Sequence, residues 1–269
     1  MEKSYVDGPA GQIHTRHWDG SAGAEASPSL LCLHPAPYSG AYFETVAPLL
    51  TERWQVIAPD YPGYGGSSPC RGEASISDYA AAMAAVADDV SPSTPVDVLG
   101  FHTGCLVAIE MAAMSPDRVR RLILIDVPYF DAATREAMLT KFPVPKPLST
   151  SLDGLADAWG FTVTKRLDDM PLSRAYELFV EQARAGEGTN AAFRAAFSYP
   201  CEDRFSTMMH STTIIATQSG LLEASRNAAK AMPHAALVER LDIKRSVMEE
   251  AALQIAPTIL SSIGDEAPS

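Results

Sequence analysis

Chemistry in this chain has three candidate bearers, and the most telling is His102, set between glycines in Gly100-Phe101-His102-Thr103-Gly104. A Gly-x-x-x-Gly turn that leaves an apolar run and opens a helix pushes its middle residue to the tip of a sharp bend, where a nucleophile usually stands. That place is ordinarily taken by serine, and sometimes by aspartate or cysteine. An imidazole there can accept and return a proton near neutral pH, which suits a general acid or base. The backbone expected at the tip has positive φ, a region in which histidine is enriched among non-glycine residues. Holding a side chain there costs on the order of 1–3 kcal/mol. The plainer alternative is a ring that only fills the pocket.

Asp126 and His34 are the other two. Residues 96–99 form a short apolar run, 105–114 an apolar helix ending at Ser115-Pro116, and 122–125 a second apolar run that finishes on Asp126. Strand, turn, helix and strand in that order make a parallel βαβ unit, which brings the bend and Asp126 to one carboxyl edge of the sheet. Adjacent strands lie about 4.8 Å apart, so Asp126 can orient an imidazole at the bend. It can equally cap the turn that follows or sit in solvent. His34 closes the apolar run Ser29–Leu33 and reaches the same edge. Cys105 lies one residue past the second glycine, inside the helix and directed away from the tip, which makes it a poor nucleophile. His14, His17, His210 and His234 read as structural or surface residues. No His, Cys, Asp and Glu spacing suits a metal, and Gly63-Tyr64-Gly65-Gly66-Ser67 matches no phosphate-binding glycine loop, so neither metal nor cofactor is expected.

The elements that must position these residues follow from periodicity. Residues 4–6 and 12–18 read as an antiparallel pair, 29–33 and 54–58 as buried strands, and 41–50 as a helix. Ser77 can cap a helix running through Val90. From 128 to about 206 the strand–helix alternation stops, and helices are expected at 152–167, 174–185 and 190–197, with Leu172, Tyr176, Phe179 and Ala183 on one face. Alternation resumes with strands at 212–217 and 237–241 and helices at 224–232 and 247–260. The expected class is α/β, with a mostly parallel twisted sheet and flanking helices. Residues 1–128 and 207–269 form its core, and 129–206 form a helical cap at the edge where ligands bind.

Composition narrows the partners. Hydrophobic residues make up 46% of the chain, which excludes bulk disorder, and a net charge of −12 argues against nucleic acid or an anionic membrane. The four cysteines, Cys32, Cys70, Cys105 and Cys201, lack CxxC spacing, and no apolar run approaches membrane-spanning length, so a cytoplasmic monomer or homodimer acting on a small molecule is expected.

Three segments carry a family likeness: residues 30–40 (apolar strand, then His34-Pro35-Ala36), residues 57–67 (Ile57-Ala58-Pro59-Asp60-Tyr61-Pro62-Gly63-Tyr64-Gly65-Gly66-Ser67) and the Gly100–Gly104 bend. Together they resemble the α/β-hydrolase superfamily, in its small branch with a helical cap. The resemblance implies an oxyanion hole from the backbone N–H groups of Ala36 and Thr103. It implies a structural duty for His34 and Asp60, with a catalytic or ligand-contacting role also open to His34. It also implies a Ser-His-Asp triad, and here this chain departs from the family. The nucleophile place holds His102, the acid place after residues 212–217 reads Gln218-Ser219-Gly220-Leu221-Leu222-Glu223, and the loop after the last strand, Asp242-Ile243-Lys244-Arg245, has no histidine. In one branch of the superfamily the acid stands at the strand tip occupied here by Asp126. Glu223, Lys244 and Arg245 are surface residues that can reach the pocket. Two readings follow: an enzyme using His102 as general acid or base on a small carbonyl compound (a hydrolase, lyase or hydratase), or a non-catalytic member that binds a ligand or partner.

Overall fold

A computed structural model describes residues 1–21, 27–70, 72–166 and 170–262. Eight strands build one sheet: β1 (Glu2–Gly8), β2 (Gly11–Trp18), β3 (Ser29–Leu33), β4 (Gln55–Pro59), β5 (Val96–Phe101), β6 (Val119–Ile125), β7 (Ser211–Thr217) and β8 (Ala235–Arg240). Their order across the sheet is β1-β2-β4-β3-β5-β6-β7-β8. The first two pairings are antiparallel and the remaining ones parallel. β3 and β5 are buried at every position, as parallel strands covered on both faces must be.

Helices lie on both faces. α1 (Ala47–Leu50) and α10 (Ala252–Ser261) cover one, and α2 (Ile76–Val90), α3 (Thr103–Met114) and α9 (Leu222–Ala231) the other. Side chains alternate across the strands to feed both layers. Leu31, Val98 and Leu122 pack with Met83, Val86 and Val107, while Leu30, Leu99 and Ile123 pack with Leu50, Ile255 and Ile259.

Between β6 and β7 the described residues hold helices and no strand: α4 (Ala132–Leu139), α5 (Asp153–Trp159), α6 (Leu172–Arg184), α7 (Ala191–Ser198) and α8 (Glu202–Thr207). The helix expected to reach residue 167 gives way after Trp159 to a wider turn, in which the Lys165 N–H bonds the Gly160 carbonyl, and Leu167 itself lies outside the described residues. No helix among the described residues is long and apolar enough to cross a membrane.

Local chemistry moved several expected boundaries. Ser75, not Ser77, caps α2: its side chain accepts from the Asp78 N–H and Asp78 returns a bond to the Ser75 N–H, a full capping box. Ser77 instead donates to the buried Glu110 on α3. The helix expected over 41–50 splits into a 3-10 turn, Gly40–Phe43, and α1, because Pro48 lacks an N–H and is tolerated only in a first turn. The closing helix starts at Ala252 rather than 247. The largest correction concerns α6. Its buried residues are Ala175 and Leu178, whereas Leu172, Tyr176 and Val180 are each about half exposed (49%, 46% and 49%) and Ala183 faces solvent. Phe179 packs inward beside Ala175 and Leu178, while polar Arg174 and Gln182 also turn inward, so the expected face is split between the core and the surface.

Candidate active site

The bend between β5 and α3 has the geometry its glycines demand. His102 sits at φ 50°, ψ −116°, its N–H bonded to the Ile125 carbonyl (3.1 Å) and its carbonyl accepting from the Cys105 N–H (2.9 Å). A Cβ on Gly104 would lie 2.0 Å from the Leu33 carbonyl oxygen, and one on Gly100 would lie 2.6 Å from that of Gly104. Neither position can accept a side chain while the strands keep this spacing. The His102 side chain is 40% exposed, and among the described residues its ring makes no hydrogen bond. Beneath it Cys105 is fully buried, its thiol directed to the Gly100 and Ile125 carbonyls, and burial pushes that thiol far above its usual range. It stays protonated.

Asp126 is at the tip of β6, fully buried and also at positive φ (53°). Its Oδ1 accepts from the Thr217 N–H (2.8 Å) and its Oδ2 from the Thr217 hydroxyl (2.7 Å), so the end of β7 grips the end of β6. Burial raises the carboxyl, but the facing imidazole and the two Thr217 donors outweigh it and hold Asp126 below its usual range, ionised at neutral pH. Nε2 of His102 stands 3.9 Å from Oδ2. That is ion-pair range, too long for a hydrogen bond.

His34 is brought to the same edge but has nothing left to offer. Its Nε2 accepts from the Tyr61 N–H (3.0 Å), so Nδ1 bears the proton and donates to the Pro35 carbonyl (3.1 Å). Burial pushes the ring down to about 4 and keeps it neutral. It pins the end of β3 to the loop after β4, which does not support a catalytic assignment. Ala36 and Thr103 are both buried, and Thr103 is the first residue of α3, where an N–H has no acceptor within the helix.

The alpha/beta hydrolase fold family matches residues 28–168, more than half of the chain and both glycine-bearing segments. The chain belongs to this family. An esterase of Mycobacterium tuberculosis is 34% identical over 149 residues, 52% of this chain and 47% of that protein. A pimeloyl-[acyl-carrier protein] methyl ester esterase of Neisseria meningitidis is 42% identical over 82 residues, 30% of each chain. The matches thus span about a third to a half of these curated relatives. Among solved structures, an epoxide hydrolase of Mycobacterium thermoresistibile superposes with a TM-score of 0.80 at 18% identity, covering 97% of this chain and 98% of that one. A hydrolase of Pseudomonas aeruginosa gives 0.79 at 17%, covering 98% of both.

Within this alpha/beta hydrolase fold, Asp60 is a structural hub. Fully buried, it binds His14 Nδ1 (2.8 Å), an Arg16 nitrogen (2.6 Å) and the N–H groups of Gly40 and Gly66 (both 2.8 Å). Burial opposes ionisation, but these partners overcome it and hold the carboxyl at about 2. Glu223 is tied to Arg226 on the surface, and Arg245 lies over the Phe161 ring.

The helices after β6 lean on the loop that follows β3. Arg174 of α6 reaches Glu249 (2.7 Å), Glu44 (3.2 Å) and the Ala41 carbonyl (2.7 Å), Ser39 donates to Glu181, and Gln182 donates to Tyr38. Tyr38 packs on Tyr42, Tyr42 stacks on Phe101 (5.7 Å), and Phe101 lies 4.1 Å from the His102 ring, so an aromatic series joins α6 to the bend. On the other side, Glu110 of α3 accepts from Tyr199 and Arg204.

Sequence reasoning passed over Thr217, Arg174, Glu249 and Glu110. Glu110 had a signal, as the lone charge in an otherwise apolar helix. Thr217 had none, because only the register of β6 on β7 sets it against Asp126. Cavities of about 350 and 340 Å³ open between residues 62–79 and α7, and one of about 490 Å³ between residues 9–11 and the start of α2; none of these three is lined by His102 or Asp126.

Proposed function

We propose that this chain is an enzyme that hydrolyses a small, partly apolar carbonyl compound without a Ser-His-Asp triad, with His102 as its general acid and base. The single observation that supports this most is the state of the His102 ring: half exposed, free of hydrogen bonds among the described residues, and 3.9 Å from an ionised, buried Asp126.

In this reading a water between ring and substrate gives its proton to His102 as its oxygen attacks the carbonyl carbon. The N–H groups of Ala36 and Thr103 hold the resulting oxyanion, and Asp126 stabilises the imidazolium. When the carbonyl re-forms and the bond to the leaving group breaks, His102 hands its proton to that group and returns to its starting state. Asp126 needs no proton of its own, since Thr217 keeps it ionised and aimed. Residues 129–206 serve as a cap that shuts out bulk water, anchored by Arg174 to the core. Esterase relatives support ester-like substrates, and thiols packed as small apolar groups (Cys32, Cys105, Cys201) suit a cytoplasmic setting.

Purified protein should turn over short p-nitrophenyl esters with complete insensitivity to serine-directed fluorophosphonates. Inactivation by a fluorophosphonate would overturn the reading. A binding-only role has one observation in its favour, that the cavities found lie away from His102. That role requires no turnover of any ester and unchanged ligand binding in His102→Ser.

A further inference from the structure

The α6 helix buries Ala175 and Leu178 against Val163 and Met170, and still leaves another apolar row on its outer side. An amphipathic helix on a globular protein normally buries its apolar stripe and shows its polar face to water. Here Arg174, Glu181 and Gln182 point to the core and are consumed by Glu249, Ser39 and Tyr38, while Leu172, Tyr176 and Val180, at i, i+4 and i+8, line the outer side. A second row runs beside it. Leu152 (83% exposed), just before α5, and Leu155 (43%) on it precede Trp159 by seven and four residues, and the Trp159 ring packs edge-on against Tyr176 at 5.0 Å. Trp159 therefore joins the two rows into one apolar face.

We propose that this face is the contact of a twofold homodimer, in which α6 of one chain lies antiparallel to α6 of its partner. Two observations select a second copy, and a third disfavours an anionic membrane. First, the area fits. The exposed parts of these five side chains amount to roughly 500 Å² when a large apolar side chain presents about 150–250 Å². At an interface that is about 57% apolar, this corresponds to roughly 850 Å² per partner, close to the ~800 Å² of a stable complex. Second, the stripe reads nearly the same in both directions about Tyr176, with Leu172 and Val180 four residues to either side. An antiparallel copy thus sets tyrosine near tyrosine and leucine against valine, the self-complementarity a twofold contact requires. Third, the surroundings are acidic, with Asp153, Asp157 and Glu177 exposed on the same two helices of a chain whose net charge is −12. A cell membrane surface, which is anionic, repels such a face.

The dimer would also bear on catalysis, since α6 holds the Arg174 anchor, but the inference stands whether or not His102 is catalytic. Sedimentation velocity of the full chain, from low to high micromolar concentration in physiological salt, should show twice the 28.8 kDa chain mass. Tyr176→Glu and Leu152→Glu should each weaken the dimer by about thirtyfold or more. Leu253→Glu, at a 77% exposed leucine on α10, should leave it unchanged. Leu152 is so exposed that its substitution leaves the fold intact, which circular dichroism verifies. A chain monomeric throughout that range overturns the proposal, as does a dimer indifferent to both substitutions. A monomer that sediments with phosphatidylcholine vesicles also overturns it, and makes the face a lipid contact instead.

Discussion

Two imidazole–carboxylate pairs sit at the carboxyl edge of this sheet, and they are built for opposite ends. In the first, His14 and Asp60 are in contact at 2.8 Å, and Asp60 also holds Arg16 and two backbone N–H groups. In the second, Thr217 alone among the described residues hydrogen-bonds Asp126, and the His102 ring stands 3.9 Å off and half exposed. Both carboxylates are fully buried and both are kept ionised. The difference lies in what is left over. Every strong partner around Asp60 is already engaged, so its charge is spent on joining β2, the loop after β3 and the loop after β4. Asp126 faces a half-exposed ring that makes no hydrogen bond among the described residues, the arrangement on which the proposed proton transfer rests. Burial and a shifted titration are common to both, so the proposed assignment of the site rests on the unspent partner instead.

Breaking the closed pair should cost most. Asp60→Ala leaves the buried Arg16 guanidinium with Glu44 as its remaining carboxylate, orphans the N–H groups of Gly40 and Gly66, and should lower unfolding free energy by about 3–5 kcal/mol in urea melts. A loss under 1 kcal/mol would show that the network is not structural.

A third imidazole sharpens the contrast, because His34 spends both nitrogens on backbone. Its folded value, about 4, lies below the usual 6.5, so the unfolded chain binds more protons between them. Stability from this group is therefore complete above pH 6.5 and is lost as pH falls through 4, amounting to about 3 kcal/mol. Denaturant melts at pH 7 and pH 4 should show this fall, and the His34 ring resonances should stay those of the neutral tautomer at pH 5. A His34 ring that protonates near pH 6.5 would contradict the assignment.

On the open pair, Asp126→Asn should reduce turnover on the order of 100-fold while costing only about 1–2 kcal/mol of stability. The smallest effect belongs to Thr217→Val. Losing one hydroxyl donor should cost about 1 kcal/mol, or roughly fivefold in kcat, and Thr217→Ser should restore most of it. If Thr217→Val matched Asp126→Asn in damage, the grip rather than the carboxylate would be the important element.

The parts of this arrangement that depend on short range were legible from residue order. The Gly100–Gly104 spacing located the bend, strand β6 ending at Asp126 placed its carboxylate one strand away, and the run 57–67 fixed the family. What could not be read depended on register and rotation. Thr217 meets Asp126 only because β7 pairs with β6 in one of several possible alignments. Periodicity grouped Leu172, Tyr176, Phe179 and Ala183 on one face of α6, whereas Phe179 packs inward and the other three are exposed, since periodicity does not show which side polar anchors such as Arg174 and Gln182 will draw inward. His34 looked like a site residue by position, and its two backbone bonds come from a loop whose path no local pattern dictates.

The most direct test of the account is the turnover of His102→Ala measured beside Asp60→Asn on the same ester, with folding verified for both. The open-pair account predicts that His102→Ala stays folded and loses activity on the order of 10²–10⁴-fold, whereas Asp60→Asn loses stability first and activity only in proportion to the folded fraction. A His102→Ala protein that retains wild-type turnover would contradict it.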